Sequence, residues 1–151
     1  MMNIHTKKRQ PLLLRILVGI FNNCNNTATA QVTKGEILKT CDWCGAFSEG
    51  LAAVRKGDWK NGKWGFIDKS GKMVVKPKHL RAGNFHDGLA VVENKKGKRG
   101  YIDKKGKVVI KQKYDWAEDF NNGLALVKQG PDEARKMAYI DKQGKYVWRE
   151  K

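Results

Sequence analysis

The sequence predicts an all-β chain of about three tandem repeats of about 35 residues, each an antiparallel three-strand meander, that form a stacked or curled array. The first observation is a sequence motif that occurs three times, as KWGFIDKSGK from Lys63, RGYIDKKGK from Arg99 and AYIDKQGK from Ala138. The second is another motif that precedes each copy of the first, as FSEGLAAV, FHDGLAVV and FNNGLALV. Such self-similarity at a nearly fixed spacing indicates structural repeats whose units bury one another's apolar faces.

Each repeat contains three segments with strand character. Gly-Leu-Ala-x-Val comes first, an aromatic-Ile-Asp segment follows, and an apolar triplet such as VVI ending at Ile110 comes last. Short β-branched runs bounded by Gly and Lys are typical of strands that are covered on both faces. The sequence therefore predicts a meander of three strands, followed by a connector rich in turn residues.

A four-residue turn separates the second and third predicted strands of every repeat. It begins with Asp and ends with Gly, at Asp68–Gly71, Asp103–Gly106 and Asp141–Gly144. Asp accepts backbone N–H groups at the start of a turn, and Gly adopts the left-handed conformation that closes it. These aspartates and glycines are predicted to be structural and not catalytic.

Small and aromatic residues recur beside the middle strand. Gly65 and Gly100 precede its aromatic residue, and Ala138 takes that place in the third repeat, which indicates a need for a small side chain. Trp64 stands before Gly65, while Trp43 and Trp116 occupy matched places in the connectors. Such rings can form a ligand platform, but filling the core between units is the favoured interpretation.

The chain divides by charge and repetition into a basic N-terminal segment and a repeat array. Up to Gly35 there are five basic side chains and no acidic one, and the apolar run Pro11–Phe21 follows a basic cluster. This order is typical of a secretory signal peptide, although Arg15 interrupts the run, and the run is too short to span a bilayer. We predict a signal peptide or N-terminal extension over 1–30, a partial connector over 31–46, and an array over 47–151 with units 47–84, 85–119 and 120–151. Export to the periplasm, the cell surface or the medium is expected, with the cytoplasm as the alternative.

The net charge favours anionic partners. Lys and Arg number 31 against 15 Asp and Glu, a formal charge of +16, which attracts polyanions, anionic head groups or acidic protein surfaces. The candidate binding residues are the loop cluster Lys95, Lys96, Lys98 and Arg99 together with Trp43 and Trp116. The alternative interpretation is that lysines at turns keep sheet edges from pairing with other chains.

Cys41 and Cys44 form the motif CDWC. A thioredoxin-like site needs a helix after the motif, but a loop and a strand are predicted there. Zinc needs two further ligands, and Cys24, His5, His79 and His86 offer no suitably spaced pair. Drift of the repeat sequence is favoured over a disulfide, and both over metal or redox chemistry. No cofactor is expected. The sequence contains no hydrolase, zinc-protease, Walker or dinucleotide-binding motif, so enzymatic activity is not expected either.

Several motifs in register resemble the bacterial WG-repeat (KWG-repeat) proteins: EGLAAV, KWGFIDKSGKMVV and YDWAEDFNNGLALV. The resemblance covers roughly residues 41–151. It departs from the family pattern because the Trp-Gly pair is intact only at Trp64-Gly65, and the expected Pro-Pro survives only as Pro77. The resemblance implies β-rich binding repeats without assigned catalysis.

These observations lead to one functional expectation. The chain is expected to be a non-catalytic repeat module that binds a protein or an anionic envelope polymer as a scaffold, without a membrane span. Non-specific electrostatic binding of nucleic acid is the alternative, which the charge favours but which lacks any recognisable nucleic-acid-reading motif.

Overall fold

The computed structural model describes residues 41–131 and 134–151, which form twelve strands in three four-stranded antiparallel sheets. The first sheet contains β1 (Trp43–Ser48), β2 (Leu51–Lys56), β3 (Lys63–Asp68) and β4 (Met73–His79). The second contains β5 (Arg81–His86), β6 (Leu89–Glu93), β7 (Arg99–Asp103) and β8 (Val108–Tyr114). The third contains β9 (Trp116–Ala117), β10 (Leu124–Gln129), β11 (Lys136–Asp141) and β12 (Tyr146–Arg149). In each sheet, strands adjacent in the chain are hydrogen-bonded neighbours.

The predicted all-β repeat array is confirmed, but each sheet has a fourth strand. The predicted connectors supply it as β1, β5 and β9, which pair with the following strand, for example Arg81 with Glu93 and Trp116 with Lys128. The sheets therefore begin before Phe85 and Phe120, where the predicted units begin. The connectors lack a run of β-branched residues, yet pairing satisfies their backbone N–H and C=O groups and covers one edge of the next strand.

Other predicted features fall partly or wholly outside the described residues. The predicted signal peptide or extension, 1–30, lies outside them, as does 31–40 of the predicted partial connector. In the part of the chain that the structure does describe, no helix has the length and apolar character needed to cross a bilayer.

The repeated Asp-to-Gly turns share one geometry. In the second sheet, Asp103 Oδ1 accepts the backbone N–H groups of Lys105 and Lys107, both at 2.9 Å, and Gly106 has a φ of 80°. The N–H of Gly106 donates to the carbonyl oxygen of Asp103 at 2.9 Å. The turns Asp68–Gly71 and Asp141–Gly144 repeat these contacts. Each aspartate is therefore engaged in its own turn.

The core lies between the sheets. The first interface joins Leu51, Ala53, Phe66 and Val75 of the first sheet to Phe85, Ala90, Val92 and Ile102 of the second. The second interface joins Leu89, Tyr101, Ile110 and Tyr114 of the second sheet to Ala117, Phe120, Ala125, Val127, Ala138 and Ile140 of the third. Since side chains alternate between the two faces of a strand, the second sheet has one face toward the first sheet and one toward the third.

Turn residues connect one unit to the next. The carboxylate of Glu49 accepts the N–H of Gly88 at 3.0 Å, and Asp87 accepts the N–H of Gly123 at 2.7 Å. Glu49, Asp87 and Asn122 occupy the same repeat position and have φ values of 50°, 53° and 52°. A buried apolar face tolerates sliding more readily than these directional hydrogen bonds do, so they fix the offset between neighbouring sheets.

A close approach between strands explains the small residue before the aromatic. Tyr101 pairs with Ile110 while Arg99 pairs with Tyr114, so β8 bulges over Gly100. A Cβ atom on Gly100 would lie 2.4 Å from the carbonyl oxygen of Ile110. In the third sheet, Ala138 and Tyr139 pair with consecutive residues of β12 and the register shifts only after Tyr139, so β12 has no bulge at Ala138.

Substitution at these matched positions tests the bulge. Gly100→Ala should lower the free energy of unfolding by about 2–4 kcal/mol, because backbone must shift to admit the methyl group. Ala138→Gly should cost only about 1 kcal/mol, through chain entropy and a small lost contact. Urea unfolding of both variants measures the difference, and equal losses would show that the bulge does not require glycine.

His79 is a buried titratable residue at the end of β4. It is 5% exposed, and its Nε2 atom has no hydrogen-bond partner among the described residues. Burial, with a smaller contribution from the Lys78 charge, lowers the pKa of His79 to about 4. The neutral imidazole is therefore the form that the folded chain accommodates.

This shift makes stability depend on pH. As the pH falls, His79 is protonated near pH 6.5 in the unfolded chain but only near pH 4 in the folded chain. The contribution of neutral His79 to stability is therefore fully present above pH 6.5 and is lost as the pH falls toward 4. The loss should reach about 3 kcal/mol at most. His79→Tyr introduces the residue found at the equivalent position 114. Between pH 7 and 4.5 the free energy of unfolding of this variant should fall by less than that of the unsubstituted protein. Urea unfolding at both values checks this, and identical losses in the two proteins would contradict it.

Candidate functional site

The face that each sheet turns toward the next unit uses the same repeat positions. One comes from the Gly-Leu-Ala strand, a second lies two residues later, a third is the aromatic of the next strand, and a fourth ends the apolar triplet. They are Leu51, Ala53, Phe66 and Val75 in the first sheet, Leu89, Val91, Tyr101 and Ile110 in the second, and Leu124, Leu126, Tyr139 and Trp148 in the third. These equivalent sets allow a direct comparison of burial.

In the first two sheets this face is covered. The ring of Phe85 meets that of Phe66 edge-on, with the centroids 4.8 Å apart, and Phe120 meets Tyr101 in the same way at 4.7 Å. Phe66 and Tyr101 are completely buried. The hydroxyl of Tyr101 also donates to the carbonyl oxygen of Glu118 at 2.6 Å, which ties the second sheet to the third. An incoming phenylalanine is thus the common element of both interfaces.

In the third sheet the same face is open. Leu124 is 39% exposed, Tyr139 44% and Trp148 51%, and neighbouring Met137 is 37% exposed. We call the surface formed by Leu124, Leu126, Met137, Tyr139 and Trp148 the end face. Tyr139 and Trp148 pair across β11 and β12, with ring centroids 6.3 Å apart. The end face therefore has the composition of a repeat interface, but no sheet of the described chain covers it.

The sequence predicted a basic binding cluster, and two of its four residues form ion pairs within the chain. Lys95 and Lys96 lie exposed in the turn between β6 and β7. Lys98 forms an ion pair with Asp115. The position of Arg99 differs from the prediction, because it begins β7 and is not a loop residue.

Two neighbours hold Arg99 in the sheet. Arg99 pairs across the strands with Glu93, its Nε lies 3.2 Å from the Glu93 carboxylate, and its guanidinium stacks on Trp116 at 4.0 Å. A guanidinium that is already paired and stacked has little capacity left for an external anion. The four predicted residues therefore do not form one free patch.

The two predicted tryptophans lie in different sheets. Trp43 in β1 meets Trp64 of β3 edge-on, with centroids 4.8 Å apart. Trp116 in β9 covers Arg99 of the second sheet and remains 40% exposed. Both rings therefore take part in packing within or between sheets, and the structure does not join them into one platform.

The CDWC motif stands at the start of a strand. Cys41 is buried, and Cys44 lies in β1 and is disulfide-bonded, so the favoured interpretation of repeat-sequence drift is wrong for Cys44. A strand and not a helix follows the motif, so the helix start that activates a thioredoxin thiol is not at this place. Within residues 41–131 and 134–151, no three His, Cys, Asp or Glu side chains are grouped as a metal site requires.

Sequence reasoning did not identify the end face, nor did it identify Trp59, which is 75% exposed on the β2–β3 loop. The end face is detectable in the sequence only by comparing equivalent positions, since Trp148 stands where Val75 and Ile110 stand in the other units. Trp59 has no counterpart in the other repeats. A search for repeated positions therefore passes over it.

Comparison with known families identifies three repeats, which agrees with the three sheets. A family model described as a WG containing repeat matches residues 33–58, 64–98 and 100–130. A comparison with curated proteins finds no match to this chain. The family matches end before β11 and β12, which contribute Tyr139 and Trp148 to the end face.

One pair of substitutions tests whether the end face is dispensable for folding. Tyr101→Ala should reduce the free energy of unfolding by about 3–5 kcal/mol, as expected for a buried aromatic residue. Tyr139→Ala, at the equivalent position, should cost no more than about 1 kcal/mol because its ring is half exposed. Chemical denaturation measures both values. A comparable loss in the two variants would show that the end face is part of the core.

Proposed function

This chain belongs to the WG-repeat family, and we propose that it is a non-catalytic interaction module whose end face binds a protein partner. The observation that carries the proposal is the exposure of the end face, where the equivalent residues of the other two sheets are buried. Large exposed apolar surfaces on a folded chain mark interaction sites more often than scattered single residues do.

The composition of the end face suits protein recognition. Tyr, Trp and Met are enriched in protein interfaces, and aromatic residues dominate the binding energy of many of them. Tyr139 and Trp148 lie on neighbouring strands, so their rings are presented by a hydrogen-bonded sheet and not by a loop. A surface of this kind loses little conformational freedom when a partner binds.

The internal interfaces indicate what such a partner presents. Phe85 and Phe120 each place a ring edge-on against the aromatic of the preceding sheet, and the small residues Ala90 and Ala125 lie beside them in the same clusters. We therefore infer that the partner has an apolar β-sheet face or extended segment with a projecting aromatic side chain. Tyr139 is the residue against which that ring would pack.

We also propose that the module acts outside the cytoplasm. The support is the order of basic cluster, apolar run and small residues over 1–30, which is typical of an export signal. The mature N-terminus of the protein expressed in its host, determined by mass spectrometry, tests this proposal. An uncleaved chain recovered with the cytoplasm would contradict it.

The binding proposal predicts a partner that depends on the end face. Full-length protein carrying a photo-crosslinking residue at Leu124 should label one protein in host extract at physiological salt. The combined substitution Tyr139→Ser and Trp148→Ser should weaken its capture at least about 30-fold, since two aromatic anchors are lost.

Trp59→Ser is the matched control, because it removes an exposed tryptophan far from the end face and should leave capture unchanged. Circular dichroism must show that all variants are folded. A partner that the double variant still retains, or that the control loses equally, would place the binding site elsewhere and contradict the proposal.

A further inference from the structure

The loop between β2 and β3 presents a second, separate surface. We call Gly57–Gly62 the tryptophan loop. Trp59 is 75% exposed, the highest value among the exposed large hydrophobic residues of the described chain, and every residue from Lys56 to Asn61 is exposed. An indole ring in open solvent is costly, because its apolar surface remains in contact with water. The loop therefore presents its ring to solvent.

Hydrogen bonds hold the backbone of the tryptophan loop. Asp58 Oδ1 accepts the N–H groups of Lys60 at 2.8 Å and Asn61 at 2.6 Å, and the N–H of Gly62 donates to the carbonyl oxygen of Asp58 at 2.9 Å. Gly57 donates to Asp42 at 2.8 Å, which ties the loop to the segment before β1. The N–H of Asn61 is the main cause that keeps the pKa of Asp58 below its usual value. Trp59 is thus exposed on a defined turn.

The base of the loop carries an unusual charge pair. Lys56 and Lys63 lie directly opposite each other across β2 and β3. At the equivalent place in the second sheet Asn94 lies opposite Lys98, with the N–H of Asn94 donating to the carbonyl oxygen of Lys98 at 2.9 Å, and the third sheet pairs Gln129 with Lys136. Like charges in direct cross-strand register are destabilising. The first sheet alone keeps two cations there, so an anion between them would relieve a repulsion that the other sheets avoid.

A third cation lies above the ring. Lys60 Nζ is 5.0 Å from the centroid of Trp59. None of the ion pairs among the described residues involves Lys56, Lys60 or Lys63. One lysine therefore lies at the exposed indole and two lie at the base of the same hairpin, and none of the three has an acidic partner in these ion pairs.

We propose that the tryptophan loop binds the surface of a bilayer that contains anionic phospholipid. Tryptophan favours the interface between hydrocarbon and water, while lysines extend toward phosphate groups in the same layer. Each lysine near an anionic leaflet strengthens binding about fivefold. A single-stranded nucleic acid offers stacking and phosphates as well, but its binding proteins use a groove with several aromatic residues. A single exposed ring at the tip of a hairpin fits a bilayer better. This proposal does not depend on the end face.

Sedimentation with vesicles tests the proposal on the full-length protein at physiological salt. The protein should bind phosphatidylcholine vesicles that contain phosphatidylglycerol and should not bind vesicles of phosphatidylcholine alone. Lys56→Gln with Lys63→Gln should weaken binding by roughly 25-fold, about fivefold for each lysine. Lys142→Gln with Lys145→Gln removes the same charge from the β11–β12 turn, at the opposite end of the strands, and should weaken binding less than threefold.

Fluorescence locates the ring. Brominated acyl chains in the vesicles should quench part of the tryptophan emission, and Trp59→Ser should abolish the quenched part. Equal weakening by the two lysine pairs would show attraction by net charge alone and overturn the proposal. Quenching that survives Trp59→Ser would overturn it too. A single-stranded oligonucleotide that binds through Trp59 while vesicles do not bind would assign the loop to nucleic acid and likewise overturn it.

Discussion

The fold depends on each sheet burying one face against the next. A four-stranded sheet of this length has too few residues to enclose a core by itself, so its apolar side chains need a neighbouring unit. The edge-on pairs Phe66–Phe85 and Tyr101–Phe120 lie within the two interfaces that result. Hydrogen bonds from Glu49 and Asp87 to the next unit set the offset that brings these rings together. The same requirement leaves one half of an interface open at Tyr139.

This arrangement separates two kinds of surface. The end face is apolar and lies at the end of the stack of sheets, whereas the charged loops lie at the ends of the strands. The tryptophan loop belongs to the first sheet and the end face to the third, so the intervening sheet keeps the two proposed surfaces apart. A module with these properties would hold a protein partner at one surface and an anionic bilayer at the other.

Local features of the structure were predictable from the sequence, and features that depend on distant residues were not. The Asp-to-Gly turns follow from the residues within each turn, because a carboxylate and a left-handed glycine act over four positions. The strand RAGNFH was missed because its pairing with β6 is not evident from its own residues. Lys98 and Arg99 looked free in the sequence, but Asp115, Glu93 and Trp116 engage them from other strands. The exposure of Tyr139 could not be predicted from its repeat motif, because the buried Tyr101 stands in the same motif, Tyr-Ile-Asp-Lys.

Amide hydrogen exchange of the native protein is the most direct measurement of the central claim that burial between sheets sets stability. Both faces of the second sheet are covered, whereas the third sheet has an open face, so local opening should be easiest at β12. The account predicts the slowest exchange in β6 and β7, near the rate of global unfolding, and much faster exchange in β12. Protection in β12 equal to that in β7 would show that a sheet does not need its neighbour, and would contradict the account.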